Sequence, residues 1–213
     1  GFGLSLGLLY DIGDRFTLGV SYKSKQHFSE LEYNLREGDI DLTLVGGPVY
    51  PGGTYVLDLD FPQQAAIGLA FRPGERWVLS ADLKWINWSD TMDKLSVQGP
   101  DGYDFAMDPG WSDQTVFALG IAFSATEQLD LRAGFNYAES PIDESTAANN
   151  LILPGIVEDH YTFGMEYRFE HWDLAFHYMY APRNSITANS GFPGTVINLK
   201  EQSVGVNLGY RWD

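Results

Sequence analysis

Apolar and polar residues alternate along most of the chain with a period of two. In the clearest stretch, residues 161–169, every second residue is apolar or aromatic, and small, polar or charged residues stand between them. This period is typical of a β-strand with two chemically different faces. The pattern restarts over residues 172–180, so Glu170 and His171 form a predicted two-residue turn that keeps Phe169 and Trp172 on the same face.

The same alternation recurs elsewhere and predicts about nine strands in all. The further stretches cover residues 2–10, 16–23, 64–71, 77–85, 115–123, 129–137 and 203–212. Alternating stretches separated by short turns favour an all-β protein whose strands pair antiparallel. At 213 residues the chain is expected to form a single domain, residues 1–213.

Short and long connections alternate along the predicted sheet. Three hairpins share one spacing between flanking apolar residues, over 10–16, 71–77 and 123–129, and this spacing predicts three-residue turns. The predicted long connections between hairpins are residues 35–61, 89–112, 140–159 and 183–200. Short turns at one end and long loops at the other are typical of an outer-membrane β-barrel.

The positions of the aromatic residues also favour a membrane barrel. Large rings on the apolar face gather at the short-turn end, like the aromatic belt at a membrane interface. They are Tyr10, Phe16, Phe71, Trp77, Phe123, Phe169, Trp172, Tyr210 and Trp212. A second group at the loop end is Tyr22, Trp85, Tyr137, Tyr161 and Tyr180. The apolar face is therefore expected to meet lipid and the polar face to line a lumen; the alternative is a soluble sandwich with a dry core.

Composition narrows the possible functions. The formal net charge of -16 argues against a nucleic-acid partner. The absence of cysteine excludes a disulfide framework and thiol catalysis. The chain has no run of the roughly 20 apolar residues that a membrane-spanning helix needs.

The number of strands bears on what precedes Gly1. Bacterial single-chain barrels normally have an even number of strands, because both termini lie in the periplasm. The last predicted strand leads from a long loop to the C-terminus, so the first strand is expected to run in the same direction, from a loop that lies before it. We therefore expect further strands and a signal peptide before Gly1; the alternative is a complete eight-stranded barrel.

The order of several segments resembles the C-terminal half of the FadL/TodX-type outer-membrane transporters. These segments are Leu57–Gly68, Asp82–Ser89, Arg132–Pro141, Leu153–Gly164 and Val204–Trp212. The resemblance implies an antiparallel transmembrane β-barrel of 14 strands, of which about nine are present here, with an N-terminal hatch that is absent from residues 1–213. It also implies passive uptake of long-chain fatty acids or aromatic hydrocarbons across the bacterial outer membrane. The final residue, Asp213, departs from the family, whose barrels tend to end in an aromatic residue.

Two sets of candidate ligand-binding residues follow from this resemblance and from the residues themselves. The first long loop, where the family places part of an external groove, is more apolar than an exposed loop usually is. Its candidates are Leu42, Leu44, Val45, Val49, Tyr50 and Tyr55. The alternative role of these residues is to pack the loop onto its neighbours. On the lumen face, Lys84 and Arg132 are candidates to bind a fatty-acid carboxylate; the alternative is an ion-pair ladder with inward-facing residues such as Asp130 and Glu166.

No catalytic residue, metal site or cofactor is expected. No pair of histidines has the spacing of metal ligands, and His177, predicted to face inward from mid-strand, points away from any lipid-side catalytic serine. The many carboxylates of the long loops have two interpretations: binding of divalent cations that bridge to lipopolysaccharide phosphates, or plain solvation. The expected partners are a hydrophobic small molecule, outer-membrane lipid and lipopolysaccharide, and the full-length protein is expected to be a monomer.

Three functions remain open at this point. The first is an outer-membrane transport barrel for hydrophobic molecules. The second is a structural or adhesive outer-membrane barrel whose loops are the binding parts. The third is a soluble all-β binding protein, which differs from the other two because its folding would not depend on detergent or lipid.

Overall fold

The computed structural model describes residues 1–212, with the side chain of Val45 outside the described part. Its strands are β1 (Ser5–Ile12), β2 (Phe16–Lys23), β3 (Leu31–Leu35), β4 (Gly53–Leu57), β5 (Gln64–Gly74), β6 (Trp77–Ile86), β7 (Leu95–Gln98), β8 (Phe105–Met107), β9 (Gln114–Ser124), β10 (Leu129–Tyr137), β11 (Asp159–Arg168), β12 (Trp172–Thr187) and β13 (Val196–Tyr210). Short helical segments lie at Thr43–Val45, Ser89–Met92, Pro100–Gly102 and Ala147–Asn150. None of the helices described is long and apolar enough to cross a membrane.

Nine of the strands form one antiparallel sheet, in the order β1-β2-β5-β6-β9-β10-β11-β12-β13. Each strand pairs with the next member of this set along the chain, so the sheet is a meander. The prediction of about nine antiparallel strands is therefore confirmed. Among residues 1–212 no ladder joins β1 to β13, and these two strands are the edges of the sheet.

The short turns lie between the strands where the sequence predicted them, but two differ in form. The β1–β2 turn has three residues, as predicted, and Gly13 there has a φ of 63°, a conformation that glycine adopts without strain. The predicted three-residue turn between β5 and β6 is wrong: Gly74 pairs with Trp77 after a shift in register, because a bulge absorbs the extra residue. The turn between β9 and β10 has four residues, 125–128.

The long connections are more structured than the sequence predicted. Residues 24–63 contain β3 and β4, residues 87–113 contain β7 and β8, and these four strands form a separate sheet in the order β3-β4-β7-β8. The predicted bounds of the last long connection, residues 183–200, are wrong: the observed connection covers only residues 188–195. The reason is that β12 and β13 continue to pair beyond a shift in register between Ala181 and Asn184.

Buried apolar side chains gather in the long connections and in the strand ends beside them. The cluster that we call the loop core consists of Ile142, Ala147, Ala148, Ile156, Ala188 and Ile197, with Trp111, Ile186 and Leu199 packed against it. Asn150, fully buried beside it, donates to the Pro109 carbonyl at 2.7 Å and accepts from the Trp111 ring nitrogen at 2.7 Å. These bonds satisfy the buried amide and join the second long connection to the third.

The apolar face of the nine-stranded sheet is exposed instead of buried. Val206 is 68% exposed, Phe163 45% and Leu174 40%. Leu131, on the same face, is half-buried. A soluble sandwich would pack these side chains against a second sheet, but the described four-stranded sheet belongs to the long connections. This confirms the prediction that the apolar face is a lipid-facing wall and not a dry protein core.

Replacing Phe163 by arginine tests which face of the sheet meets lipid. Phe163 lies in the middle of β11 on the apolar face, so we expect Phe163→Arg to lower the free energy of unfolding by about 2–4 kcal/mol if hydrocarbon surrounds it. Thr162→Arg, one residue away on the lumen face, is the matched control and should cost far less. Urea unfolding of the intact protein in lipid vesicles measures both, and equal losses would contradict the assignment of faces.

Candidate ligand-binding site

Small residues on the inward face leave space along the wall. Cross-strand pairing sets Gly19 beside Gly68 and Gly120 beside Gly134. A recess of about 480 Å³ crosses β6 and β9 to β12 at this level. A Cβ at Gly120 would lie 2.6 Å from the Ser80 hydroxyl, so a side chain there would enter the space that the recess occupies.

Ion pairs run along the inward face toward the short-turn end. Arg132 lies 2.7 Å from Glu166, and Arg168 lies 2.6 Å from Asp130. Each arginine also lies 3.9 Å from the other carboxylate, so the four groups form one network. The ion-pair ladder considered from the sequence is thus present, and Arg132 belongs to it. Whether Arg132 also binds a ligand carboxylate stays a prediction.

The two predicted lumen cations lie in different places. Lys84 pairs with Val116 of β9, whereas Arg132 pairs with Ala122, six positions further along that strand and about 20 Å away at the usual rise per residue. Lys84 lines a separate recess of about 260 Å³ near the loop end of β2, β5 and β6. Within residues 1–212 it makes no ion pair. One carboxylate group therefore cannot contact both cations.

The candidates in the first long connection fall into an exposed and a packed group. Leu44 is 99% exposed, and Leu42 and Val49 are also exposed. Tyr55 is only 2% exposed, and its hydroxyl donates to the Pro51 carbonyl at 2.8 Å. Tyr50 and Tyr55 both contact the Phe105 ring, at centroid distances of 5.2 and 6.3 Å. The side chain of Val45 lies outside the described part, and ligand binding by all six residues stays a prediction.

Tyr55 shows what holds the four-stranded sheet together. Its ring contacts Phe105 of β8, and Leu95 and Val97 of the neighbouring β7 are buried as well. Burial of the ring raises the pKa of its hydroxyl above the usual value. For Tyr55, then, the structure supports the packing role that the sequence left as an alternative.

Carboxylates of the third long connection shape a polar recess of about 670 Å³ beside the loop core. Asp143 accepts hydrogen bonds from the Ser145 hydroxyl at 2.5 Å and the Ser145 amide at 2.6 Å. These bonds hold the pKa of the Asp143 carboxyl below its usual value. Across the described residues, no three His, Cys, Asp or Glu side chains are placed to hold a metal ion.

The histidines take separate positions. His177 faces inward, as predicted: a Cβ on Gly205 would lie 2.0 Å from its ring. His27 lies 2.8 Å from Asp60 in the first long connection. His171 lies in the β11–β12 turn, with its ring 6.3 Å from that of Tyr210.

A sheet that is apolar on one exposed face and small or charged on the other is typical of the wall of an outer-membrane β-barrel. Comparison with known protein families shows which kind of outer-membrane barrel protein this is. Residues 1–211 match the family described as "Outer membrane protein transport protein (OMPP1/FadL/TodX)", and the chain belongs to this family. The resemblance drawn from the sequence is confirmed.

Individual relatives match over most of this chain. It is 26% identical to the 47 kDa outer membrane protein of Pasteurella multocida, over 100% of this chain and 50% of that protein. It is 23% identical to the long-chain fatty acid transport protein of Escherichia coli O6:H1, over 90% of this chain and 45% of that protein. The crystal structure of the Pseudomonas putida toluene transporter TodX matches with a TM-score of 0.71 at 29% identity, over 98% of this chain and 48% of that structure. The chain thus spans about half the length of these relatives and forms part of a barrel wall.

The hydrogen bonds of Asp143 give a pH prediction. Because the folded pKa lies below the ordinary value of 3.8, the carboxylate stabilises its loop at all pH values above 3.8, and this contribution is lost as the pH falls through the folded pKa. We expect Ser145→Ala to move the pKa of Asp143 up toward 3.8, because the Ser145 hydroxyl is the main cause of the shift. An NMR titration that follows the Asp143 carboxyl carbon measures the pKa in the wild-type protein and in the variant. An unchanged pKa in the variant would contradict the role of the Ser145 hydroxyl.

Proposed function

We propose that this chain is the part of an outer-membrane barrel that carries hydrophobic molecules passively into the cell. The observation that supports this most is the two-faced wall, which puts the apolar side chains in lipid and leaves small residues and open recesses on the lumen side. Family membership points the same way. A wall of this kind offers a route through the membrane without presenting its backbone to hydrocarbon.

The proposed uptake uses the burial of apolar ligand surface as its driving force. A molecule leaves water for an apolar surface on the long connections and then passes to recesses along the lumen wall. Each step is reversible, and net uptake is downhill because ligand is removed on the inner side. The proposed mechanism therefore uses no cofactor or energy source. One relative is named for long-chain fatty acids and another for toluene, and these are the two ligand classes considered.

We assign first capture to the first long connection, in which Leu42, Leu44, Val45 and Val49 contact the ligand and Tyr50 and Tyr55 pack as their support. Lumen contacts are assigned to Lys84 and Arg132. Leu42, Leu44 and Val49 are exposed side chains that an apolar ligand could cover. Tyr50 and Tyr55 would support this surface from below through Phe105. The hatch and the exit route of the complete protein are proposed to come from segments outside residues 1–213.

The proposed surroundings are those of an outer-membrane monomer. The lipid-facing side chains contact membrane lipid, and the acidic long connections face lipopolysaccharide. The complete barrel is proposed to have 14 strands, which would pair the open edges of β1 and β13. A structural or adhesive barrel is the alternative, and it differs by binding through its loops without uptake.

Aspartate substitutions in the first long connection test the capture surface. We expect Leu42→Asp combined with Leu44→Asp to lower the initial uptake rate at limiting ligand by about a hundredfold, because each exposed leucine loses about 1.5 kcal/mol of ligand burial. Ile152→Asp is the matched control, since Ile152 is 73% exposed in a different connection. Uptake of labelled fatty acid and toluene by intact cells is the measurement. Equal rates in all three proteins would contradict the capture role, and uptake no faster than in cells without the protein would argue for the adhesive alternative.

Alanine substitutions at the two lumen cations test the carboxylate contacts. We expect Lys84→Ala to slow fatty-acid uptake more than Arg132→Ala, because Arg132 is already paired with Glu166 whereas Lys84 has no ion-pair partner among the described residues. Toluene uptake should change little in either variant. Unchanged fatty-acid uptake in both variants would remove the carboxylate role from the proposal.

A further inference from the structure

Lys84 shares its recess with a second lysine that the sequence did not single out. Lys23, at the end of β2, lines the same space of about 260 Å³, together with Ser21, Gln64 and Ala66. The register places both lysines on the inward face: Lys23 pairs with Gln64 of β5, and Lys84 pairs with Ala66 two positions along that strand. Two strand spacings, about 10 Å, separate β2 from β6. Two long lysine side chains can therefore reach one small group held between them.

Neither lysine is neutralised within residues 1–212, although carboxylates are abundant in a chain with a net charge of -16. Lys25, two residues from Lys23, lies 3.3 Å from Asp90 and 3.7 Å from Asp60. The arginines of the lumen ladder are paired in the same way. In the Lys23–Lys84 recess, by contrast, two positive charges have no ion-pair partner among the described residues and can meet an anion.

An apolar recess adjoins the two lysines. It measures about 580 Å³ and shares Ser21 and Ala66 with the lysine recess. Gly19 and Gly68 form its floor, and Leu9 of β1, 78% exposed, lies on its rim. The joined recesses have a cationic end and an apolar body, which matches a molecule with one charged head and an aliphatic tail.

Asp82 limits where the site accepts negative charge. It lies on the same face as Lys84, two residues away, and lines the apolar recess instead of the lysine recess. A Cβ at Gly68 would lie 2.0 Å from its carboxylate oxygen, so the carboxylate lies directly over the floor. Asp82 lies about 7 Å along β6 from Lys84 at the usual rise per residue, so an anionic head that moved from the lysines toward the apolar recess would be repelled by this carboxylate.

We propose that Lys23 and Lys84 form a headgroup subsite for aliphatic monocarboxylates, with the tail lying over Gly19 and Gly68. The inference rests on the proposed uptake function and narrows it to anionic amphiphiles over neutral aromatic hydrocarbons. The two ammonium groups donate charge-assisted hydrogen bonds to the carboxylate, and repulsion from Asp82 keeps the carboxylate at the lysine end of the joined recesses. Ligand orientation follows: head toward the long connections, tail toward the short turns.

Equilibrium binding to the intact protein in nanodiscs of neutral lipid tests the subsite. The probes are hexadecanoate and hexadecan-1-ol, which share one chain length and differ in the charge of the headgroup. We expect Lys23→Gln combined with Lys84→Gln to weaken hexadecanoate binding by about tenfold or more, since charged hydrogen bonds are lost, while hexadecan-1-ol binding stays within about twofold. Lys94→Gln is the control, because Lys94 is an exposed lysine outside the recess.

The outcomes separate the subsite from the proposed function. Equal weakening of hexadecanoate and hexadecan-1-ol in the double variant, or no weakening of either, would overturn the headgroup role while leaving uptake of hydrophobic molecules in place. A wild-type protein that binds neither probe would overturn the proposed function and the subsite with it. A hexadecanoate affinity that falls in Lys94→Gln as much as in the double variant would show a general charge effect and also overturn the subsite.

Discussion

The structure depends on one constraint: inside a membrane, each backbone N–H and C=O must find its partner within the protein. The nine-stranded meander meets it by pairing every interior strand on both sides. The strands leave their apolar side chains free to meet lipid, because the ladder uses only backbone groups. The open edges of β1 and β13 are where the same requirement calls for further strands.

Meeting the constraint with strands divides the side chains between two environments. Val206 and Phe163 face outward, while their neighbours along the strands face a lumen that admits charge. There the arginines and carboxylates near the short turns neutralise one another. Near the loop end, Lys23 and Lys84 do not follow this pattern. The lumen wall thus has one end where opposite charges pair and another end where two lysines have no ion-pair partner among the described residues, built from the same alternation.

Period-two alternation was enough to predict the nine long strands, their antiparallel pairing and the outward face, because each signal is local and repeats over eight or more residues. The four-stranded sheet was not predictable in this way, since its strands are only three to five residues long. The loop core joins Trp111 to Ile156 and Ala188 across three connections, and no local pattern encodes that contact. For the site, the sequence placed Lys84 and Arg132 on the lumen face, but their separation and the nearness of Lys23 depend on the register between strands.

The loop core affects how antibodies and proteases meet the long connections. Its members come from stretches far apart in the chain, and Asn150 joins two of these stretches through side-chain hydrogen bonds. An antibody that recognises this region would bind a conformational epitope. Peptides copied from any single stretch would be poor immunogens for raising such an antibody. Proteases would meet folded chain in this region.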